Sequence, residues 1–339
     1  MTWSWSADEL TRLGGALSER NVCGPELTVR AVGDGHSNLT YLVSDGQRRV
    51  IVRRPPPPPI PAGAHDVVRE ARVVAALADT PVPVPPVLAV FAAGEMLEVP
   101  LVVTGYVDGV VITQTTPAPL GTPTVRREIA LSAVDTLAEL HGVDWRACGL
   151  GDFGNPEGFN ARHLGRICML AADADGELPS SFRSVADWLG RYTPQEAGAA
   201  IVHNDFRLGN LMIAHDSPGR VLAVLDWELA TVGDPLFDLG YFLSSYPQPG
   251  EALTPTAKMA TAVLEDGYPS RNELLARYCE RTGTRPANVS WYCALAQFKL
   301  AALYEYGRRR AASSSGGDHY FADPGLVSSF LQAAEAMAG

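Results

Sequence analysis

The sequence predicts an α+β fold, in which an antiparallel five-stranded sheet with one helix is followed by a larger, mainly helical region. Short apolar segments separated by turn residues fill roughly residues 25–105, as in an antiparallel sheet. After residue 109, apolar residues recur at helical spacing instead. The 339 residues are enough for about two domains of ordinary size. We therefore expect an N-terminal lobe at 1–105, a hinge at 106–109 and a C-terminal lobe at 110–339.

A helix opens the chain and five β segments follow it. Ser6 and Glu9 have the spacing of a capping box, and leucines at 10, 13 and 17 then lie on one helical face. Asp45-Gly46 is a hairpin turn between the second and third β segments. The predicted strands are residues 27–32, 39–44, 48–53, 87–91 and 101–105.

A helix predicted at residues 65–78 interrupts the strands, after an extended connector of prolines at 55–59. Its apolar face consists of Val67, Ala71, Val74 and Leu77. Glu70 lies on that same face rather than opposite it. This position favours a carboxylate that is paired with a partner over one that is simply solvated.

The C-terminal lobe is predicted to be helical at residues 124–141, 181–192 and mainly helical at 259–339. Two short strands, 211–213 and 221–225, flank a Ser-Pro-Gly loop and should pair as a hairpin. Asp234-Pro235 is a typical helix start, with aspartate as the N-cap and proline as the first helical residue.

Composition excludes several classes of function. Only two of the 27 basic residues are lysines, Lys258 and Lys299, and no P-loop motif is present. The five cysteines are scattered, which argues against a disulfide framework or structural zinc and fits a reducing compartment. The net charge of −11 argues against nucleic-acid or anionic-membrane binding. The chain shows neither signal-peptide features nor an apolar run of about 18 residues, so we expect a cytoplasmic protein.

The most informative segment contains Asp205, Asn210 and Asp226. Antiparallel pairing of the two short strands would bring Asn210, before the first strand, near Asp226, after the second. Asp205 lies five residues before Asn210, in a loop that would face the same cleft. Carboxylate and amide oxygens suit Mg²⁺, which keeps its other positions for water or phosphate. Phosphoryl transfer needs such a metal, a carboxylate that orients the attacking hydroxyl, and positive charge at the phosphates.

Three motifs carry a family resemblance: His203-x-Asp205-x4-Asn210, Asp226-Trp-Glu228 and Gly233-Asp234-Pro-x-x-Asp238-Leu. Together they resemble the aminoglycoside phosphotransferase and choline kinase family, whose members share a bilobal protein-kinase-like fold. The similarity runs in order from Gly33 to about residue 310. The segments Gly35-His-Ser-Asn38-Leu-Thr-Tyr, Val-Arg-Arg-Pro55 and Arg69-Glu70-Ala-Arg72 are most similar to kinase-like domains related to those fused to some acyl-CoA dehydrogenases.

The resemblance implies an ATP- and Mg²⁺-dependent enzyme that moves the γ-phosphate to a hydroxyl of a small molecule. Asp205 would be the catalytic aspartate, and Asn210 and Asp226 would bind Mg²⁺. Asp238 would brace the catalytic loop. His203 is interpreted as a structural hydrogen-bonding residue.

The resemblance also implies a nucleotide site in the N-terminal lobe. Arg53 would contact the α- and β-phosphates where the family has lysine or arginine, and Glu70 would pair with it. No lysine can stand at this third-strand position, because the first lysine of the chain is Lys258. The guanidinium that replaces it is larger and could change nucleotide geometry, activity or the ATP/GTP preference. The choice of Arg53 over Arg54 rests on the resemblance. The remaining nucleotide-binding residues would be Gly35, His36, Ser37 and Asn38 in the loop over the phosphates, and Tyr106 and Val107 in the hinge beside the adenine.

Two other functions stay open, a pseudokinase that binds nucleotide or a partner without turnover, and a Ser/Thr protein kinase. The missing lysine motivates the first, whereas intact Asp205, Asn210 and Asp226 oppose it. The short chain between Asp226 and Gly233 leaves little room for a peptide-binding activation loop, which opposes the second. We expect a hydroxylated small-molecule acceptor, such as a hydroxyacyl-CoA or an amino alcohol, and no nucleic-acid or membrane partner; the sequence does not predict an oligomeric state.

The charge of the C-terminal lobe bears on the acceptor in two opposite ways. Arg308-Arg309-Arg310 is either a solvated face or a basic cluster that would suit an anionic acceptor such as an acyl-CoA. Residues 107–339 nevertheless hold 27 acidic against 18 basic side chains, which favours a cationic acceptor. The sequence alone therefore does not choose between the two classes.

Overall fold

The computed structural model describes residues 5–33, 38–56, 66–215, 219–313 and 319–338. The chain divides into two compact units. The first unit contains residues 1–108 and 222–230, and the second contains residues 109–221 and 231–339. The predicted α+β fold is confirmed, because the first unit contains the antiparallel five-stranded sheet and the second is mainly helical.

The sheet of the first unit has the strand order β1-β2-β3-β5-β4, with every neighbouring pair antiparallel. The five predicted strands are confirmed to within one residue at each end. They are β1 (Thr28–Val32), β2 (Leu39–Ser44), β3 (Arg49–Arg54), β4 (Val87–Phe91) and β5 (Leu101–Gly105).

Two helices cover the two faces of this sheet. Helix α1 (Ala7–Glu19) begins with the predicted capping box of Ser6 and Glu9, and it packs Leu13 and Leu17 against one face. Helix α2 (Val67–Leu77) packs against the other face, where Val102 lies. Strand β3 alternates between them, so that Val50, Val52 and Arg54 are buried on the α1 side and Arg53 lies on the α2 side.

The second unit consists mainly of helices around one short antiparallel strand pair, and a short hairpin lies where the chain passes from this unit into residues 222–230. Strand β6 (Ala200–Val202) pairs antiparallel with β9 (Thr231–Gly233). The predicted hairpin is present, since Ala214 donates a backbone hydrogen bond to the Arg220 carbonyl between β7 (Leu211–Ile213) and β8 (Val221–Val224). The helices are α3 (Pro123–His141), α4 (Phe159–Ala171), α5 (Ser180–Arg191), α6 (Pro235–Ser244), α7 (Pro255–Lys258), α8 (Arg271–Thr282), α9 (Val289–Ser313) and α10 (Pro324–Ala338). None of the helices in the described ranges has the length and apolar character that crossing a bilayer requires.

Helix α4 and the β6–β9 pair are not predicted from the sequence. The helix starts after Gly158, which has a left-handed φ of +58°, and no side chain caps it. Gly233 in β9 lies against the ring of Phe159, where a Cβ would come within 2.4 Å of a ring carbon. These elements therefore depend on close contacts between segments distant in sequence, which local pattern does not reveal.

An aromatic cluster in the second unit surrounds His163 of α4. Its ring stacks on Phe159 at 5.1 Å and meets Phe237 edge-on at 4.6 Å. Burial, with a smaller contribution from the positive charges of Lys299 and Arg166, lowers the pKa of His163 to about 3. This histidine is thus neutral in the folded protein at every pH near neutrality.

This lowered pKa predicts a loss of stability in mild acid. An unfolded histidine binds a proton at a pKa near ~6.5, whereas folded His163 does not until about pH 3. The contribution of neutral His163 to the free energy of unfolding is therefore complete above pH 6.5 and is lost as the pH falls toward 3. We expect the free energy of unfolding to fall by about 2 kcal/mol more in the parent than in His163→Phe between pH 7.5 and pH 5. Urea denaturation at both pH values measures this.

The matched control is His215→Phe, which changes an exposed histidine. We expect this control to show the same pH dependence of stability as the parent. An identical pH dependence in the parent and in His163→Phe would contradict the prediction.

Candidate active site

The loop between β6 and β7 contains Asp205, and the buried side chain of Asp238 on α6 binds its backbone. The backbone N–H groups of His203 and Asn204 donate to the two oxygens of the Asp238 carboxylate at 2.6 and 2.7 Å. Asp238 is completely buried, so these charge-assisted bonds lie in a region of low dielectric. The predicted bracing contact is therefore present.

The position of Asp238 follows from the way α6 begins. Asp234 is the N-cap and accepts a hydrogen bond from the Leu236 amide, and Pro235 is the first helical residue, as predicted. Asp234 also accepts hydrogen bonds from Asn160 and from the Tyr292 hydroxyl. The start of the helix is thereby fixed, and Asp238 comes one turn later.

Three neighbours hold the side chain of Asp205. Asn210 Nδ2 donates to Asp205 Oδ2 at 2.8 Å and to the Asp205 carbonyl at the same distance. Arg207 Nε lies 3.5 Å from Asp205 Oδ1. Tyr241 of α6 is the third neighbour, and burial together with the nearby charge of Asp205 raises the pKa of Tyr241. Asp205 keeps a fifth of its side-chain surface exposed, which leaves it accessible to a substrate hydroxyl.

Asn210 is oriented by the same contacts. Its amide nitrogen is used twice by Asp205, so the amide oxygen is the atom left for another ligand. Asn210 ends a 3-10 turn of Leu208–Asn210 and is 7% exposed. An oriented amide oxygen next to a carboxylate is a suitable donor for Mg²⁺.

A second constellation lies in the first unit and is centred on Arg53. Its Nη1 contacts Glu70 Oε1 at 2.5 Å, and its Nη2 contacts Asp226 Oδ1 at 3.1 Å. The predicted pair of Arg53 with Glu70 is therefore present. Arg54 faces the other side of the sheet and donates to the Pro55 carbonyl, which the alternation of β3 explains.

Glu70 is a buried carboxylate near two others. It is 7% exposed and accepts a hydrogen bond from the Trp227 amide at 3.3 Å. Burial raises the pKa of Glu70 to about 7; Arg53 opposes the shift, while the charges of Asp226 and Glu228 add to it. Trp227 belongs to the core, as predicted, and Asp226 has a left-handed φ of +67°. The positive charge of Arg53 thus lies against the negative charges of Glu70 and Asp226, with that of Glu228 nearby.

Removing this guanidinium is expected to destabilise the protein. Arg53→Met should lower the free energy of unfolding by about 3 kcal/mol, because Glu70 would be left buried without its cation. In Arg53→Met/Glu70→Leu the buried charge is removed together with its partner, and we expect at least half of the loss to be recovered. Chemical denaturation of both variants measures this, with Arg30→Met on β1, an exposed arginine, as the control.

The structure describes some of the other residues predicted for the nucleotide site and leaves three of them undescribed. Gly35, His36 and Ser37 lie outside the described residues. Asn38 is 5% exposed, and its side-chain amide has no hydrogen-bond partner among the residues that the structure describes. Tyr106 and Val107 follow β5 and are half-buried, and the Arg49 guanidinium lies 4.1 Å from the centroid of the Tyr106 ring. The roles of these residues in nucleotide binding stay predictions.

The triple arginine at 308–310 is engaged in contacts within the second unit. Arg308 forms a two-bond ion pair with Glu305 at 2.7 Å. Arg309 donates to the carbonyls of Leu170 and Ala172 at the end of α4. The Arg310 guanidinium lies 5.8 Å from the Tyr306 ring centroid. Arg308 and Arg309 thus have structural contacts, which removes most of the support for a basic acceptor cluster.

Sequence reasoning missed Arg207 and Tyr241 as neighbours of Asp205. Arg207 is two residues away, so its proximity was available from the sequence. Tyr241 follows Asp238 by three residues on α6, and the helical spacing places both near the loop that Asp238 braces. In the part of the chain that the structure describes, no three His, Cys, Asp or Glu side chains form a cation site. The shared Mg²⁺ of Asn210 and Asp226 therefore stays a prediction.

Comparisons with known proteins identify relatives of this chain. A family model described as the phosphotransferase enzyme family, APH, matches residues 28–274. Rat acyl-CoA dehydrogenase family member 11 is 32% identical over 301 residues, which are 87% of this chain and 38% of that protein. The chain thus spans less than two fifths of the length of the curated relatives it matches.

Solved structures share the fold. A protein from Ralstonia eutropha, assigned as an aminoglycoside phosphotransferase, is 28% identical with a TM-score of 0.78, and the match covers 96% of this chain and 98% of that one. A thermostable mutant of aminoglycoside phosphotransferase APH(4)-Ia, in a ternary complex with AMP-PNP and hygromycin B, is 15% identical with a TM-score of 0.60, over 97% and 98% of the two chains. The second likeness concerns the fold alone.

Proposed function

This chain belongs to the phosphotransferase enzyme family, and we propose that it transfers the γ-phosphate of ATP to a hydroxyl group of a small molecule in a Mg²⁺-dependent reaction. The observation that carries the proposal is the support of Asp205. Its carboxylate is oriented by Asn210, Arg207 and Tyr241, while Asp238 fixes the backbone before it. Such an oriented, partly exposed carboxylate can align a hydroxyl and accept its proton.

The mechanism assigned to this chain is direct transfer without a covalent enzyme intermediate. Asp205 accepts a hydrogen bond from the acceptor hydroxyl and takes its proton as the oxygen attacks the γ-phosphorus, while the bond from that phosphorus to the bridging oxygen breaks and ADP leaves. Arg207, 3.5 Å from Asp205, supplies positive charge beside the reacting groups. Phosphoryl transfer is catalysed mainly by such positioning and by charge stabilisation.

The nucleotide and the metal are assigned to the residues predicted for them. The loop of Gly35, His36, Ser37 and Asn38 would cover the phosphates, Arg53 would contact them, and Tyr106 and Val107 would lie beside the adenine. Asn210 and Asp226 would hold Mg²⁺, which when bound neutralises charge on the phosphate oxygens. The free amide oxygen of Asn210 and the half-exposed Asp226 carboxylate have the donor chemistry that this ion prefers. The APH(4)-Ia mutant, which is similar to this chain in fold alone, binds AMP-PNP, so this fold can hold an ATP analogue.

The acceptor is proposed to be a hydroxyacyl-CoA or an amino alcohol. The names of the curated relatives favour the first. The acidic excess of residues 107–339 and the engagement of Arg308 and Arg309 favour the second. The five cysteines are free thiols in the structure, which supports the proposal that the protein acts in the reducing cytoplasm.

A pseudokinase is the second candidate function. The observation that favours it is the contact of Arg53 with Asp226, because a guanidinium then occupies one oxygen of a proposed metal ligand. In this case nucleotide would bind without transfer of its phosphate.

One experiment separates the two. The protein is incubated with ATP and Mg²⁺ and with an aminoglycoside, an amino alcohol, a sugar alcohol or a hydroxyacyl-CoA, and phosphorylated acceptor is detected by mass spectrometry. We expect acceptor-dependent ADP formation that stops when Mg²⁺ is chelated. Thermal stabilisation by ATP without transfer to these acceptors would favour the pseudokinase. The absence of both would overturn the proposal.

A further inference from the structure

Helix α9 contains a lysine in the middle of its buried segment. All residues from 291 to 302 are buried, and Lys299 is the charged side chain among them, with 7% of its surface exposed. Lysine is among the residues least often buried, because its ammonium loses strong hydration. Its retention at this position therefore calls for a specific interaction.

The ammonium of Lys299 lies against the catalytic loop. Its Nζ donates to the backbone carbonyl of Asn204 at 2.6 Å, in the residue directly before Asp205. The same nitrogen lies 5.0 Å from the ring centroid of Tyr241 and 5.5 Å from that of Phe237, both on α6. These distances are within the range of cation–π attraction.

The contact fixes a residue with an unusual backbone. Asn204 has a φ of +66°, in the left-handed region that few non-glycine residues adopt. Asp238 accepts its N–H, Lys299 donates to its carbonyl, and His203 Nδ1 accepts the following N–H of Asp205 at 3.2 Å. The two peptide groups before Asp205 are thus held by partners from α6, α9 and the loop itself.

We propose that Lys299 is a positioning residue for Asp205, an inference that rests on the proposed function. It acts through the Asn204 carbonyl, which sets the backbone from which Asp205 projects. It acts also by holding the ring of Tyr241, a neighbour of Asp205, at 5.0 Å from its ammonium. One buried ammonium thereby fixes both the backbone and a side-chain partner of Asp205.

The two lysines of the chain provide a matched test. Lys299→Met keeps the length of the side chain and removes its charge and its donors, and Lys258→Met makes the same change at the exposed end of α7. We expect kcat of Lys299→Met to fall by about 100-fold with the KM for ATP nearly unchanged, since misplacement of a reacting group by about 1 Å costs this much. Lys299→Arg should recover about tenfold of this loss because it can still donate to the carbonyl. Lys258→Met should keep the parent kcat.

A double-mutant cycle distinguishes positioning from a general loss of stability. In the Asp205→Asn background, Lys299→Met should change kcat by less than about threefold, because its effect passes through Asp205. A full additional 100-fold loss in that background would overturn the proposal. So would the parent kcat in folded Lys299→Met. If Lys299→Met does not fold, Lys299→Gln carries the same test with the same expected loss.

Hydrogen exchange keeps this inference separate from the proposed function. Amides of residues 203–210 should exchange faster in Lys299→Met than in the parent and in Lys258→Met, well below the melting temperature. Unchanged exchange would overturn the role of Lys299 whatever the activity. If the parent and Lys258→Met both lack phosphotransfer, the proposed function fails, and exchange still decides whether Lys299 holds the loop.

Discussion

Replacing Asp205 by asparagine is expected to lower kcat by about 10³-fold while the fold and nucleotide binding are retained. A positioned general base contributes about 10²–10⁴-fold, and asparagine cannot take the proton of an attacking hydroxyl. The amide has the size of the carboxylate, and its oxygen can still accept the hydrogen bond from Asn210 Nδ2. The loss should therefore appear in kcat rather than in stability.

Steady-state kinetics and thermal denaturation of Asp205→Asn check this result. The matched control is Asp187→Asn, which makes the same change at an exposed position on α5. It should keep the parent kcat and melting temperature. A parent-like kcat in Asp205→Asn would refute the assignment of Asp205, and a large drop in its melting temperature would show that the carboxylate is mainly structural.

Local patterns predict the first unit better than the second. Strand alternation and turn residues gave the bounds of β1 to β5 nearly to the residue, since both are local signals. The pairing of β3 with β5, by contrast, joins strands that are not neighbours in sequence. The apolar face of α2 likewise indicated that Glu70 is buried with a partner. In the second unit, α4 and the β6–β9 pair depend on contacts such as that of Gly233 with Phe159, which bring together residues far apart in the sequence.

The candidate site divides in the same way. Asp205, Asn210 and Asp226 stand out because their residue types and spacing are unusual for a structural loop. The contact of Lys299 cannot be found by motif reasoning, because a lysine on a helix has no fixed spacing to a carbonyl 95 residues away. The arginines at 308–310 show that a run of charges is also ambiguous in sequence. Arg308 and Arg309 are bound by Glu305 and by backbone carbonyls at the end of α4, which the run itself does not indicate.

The second large effect is expected at Asp226. Asp226→Asn should lower kcat at millimolar Mg²⁺ by about 10²–10³-fold, because a metal ion at a transferring phosphate supplies several kcal/mol of charge stabilisation. The φ of +67° should persist, since asparagine adopts the left-handed region as readily as aspartate. Arg53 would lose one of its two carboxylate partners and keep Glu70.

Two readouts distinguish loss of the metal from loss of the Arg53 contact. If Asp226 binds Mg²⁺, the Mg²⁺ concentration for half-maximal rate should rise by at least about tenfold in Asp226→Asn, and Mg²⁺ should no longer add to the thermal stabilisation by ADP. If Asp226 only forms the ion pair with Arg53, the melting temperature of Asp226→Asn falls while the Mg²⁺ dependence of its rate stays that of the parent. The assignment of Asp226 as a metal ligand is then wrong. Asp79→Asn, an exposed aspartate just after α2, is the matched control and should leave both readouts unchanged. Because Asp226 is also one of the charges that raise the pKa of Glu70, its neutralisation by asparagine should shift that pKa downward, toward the ordinary value for a glutamate.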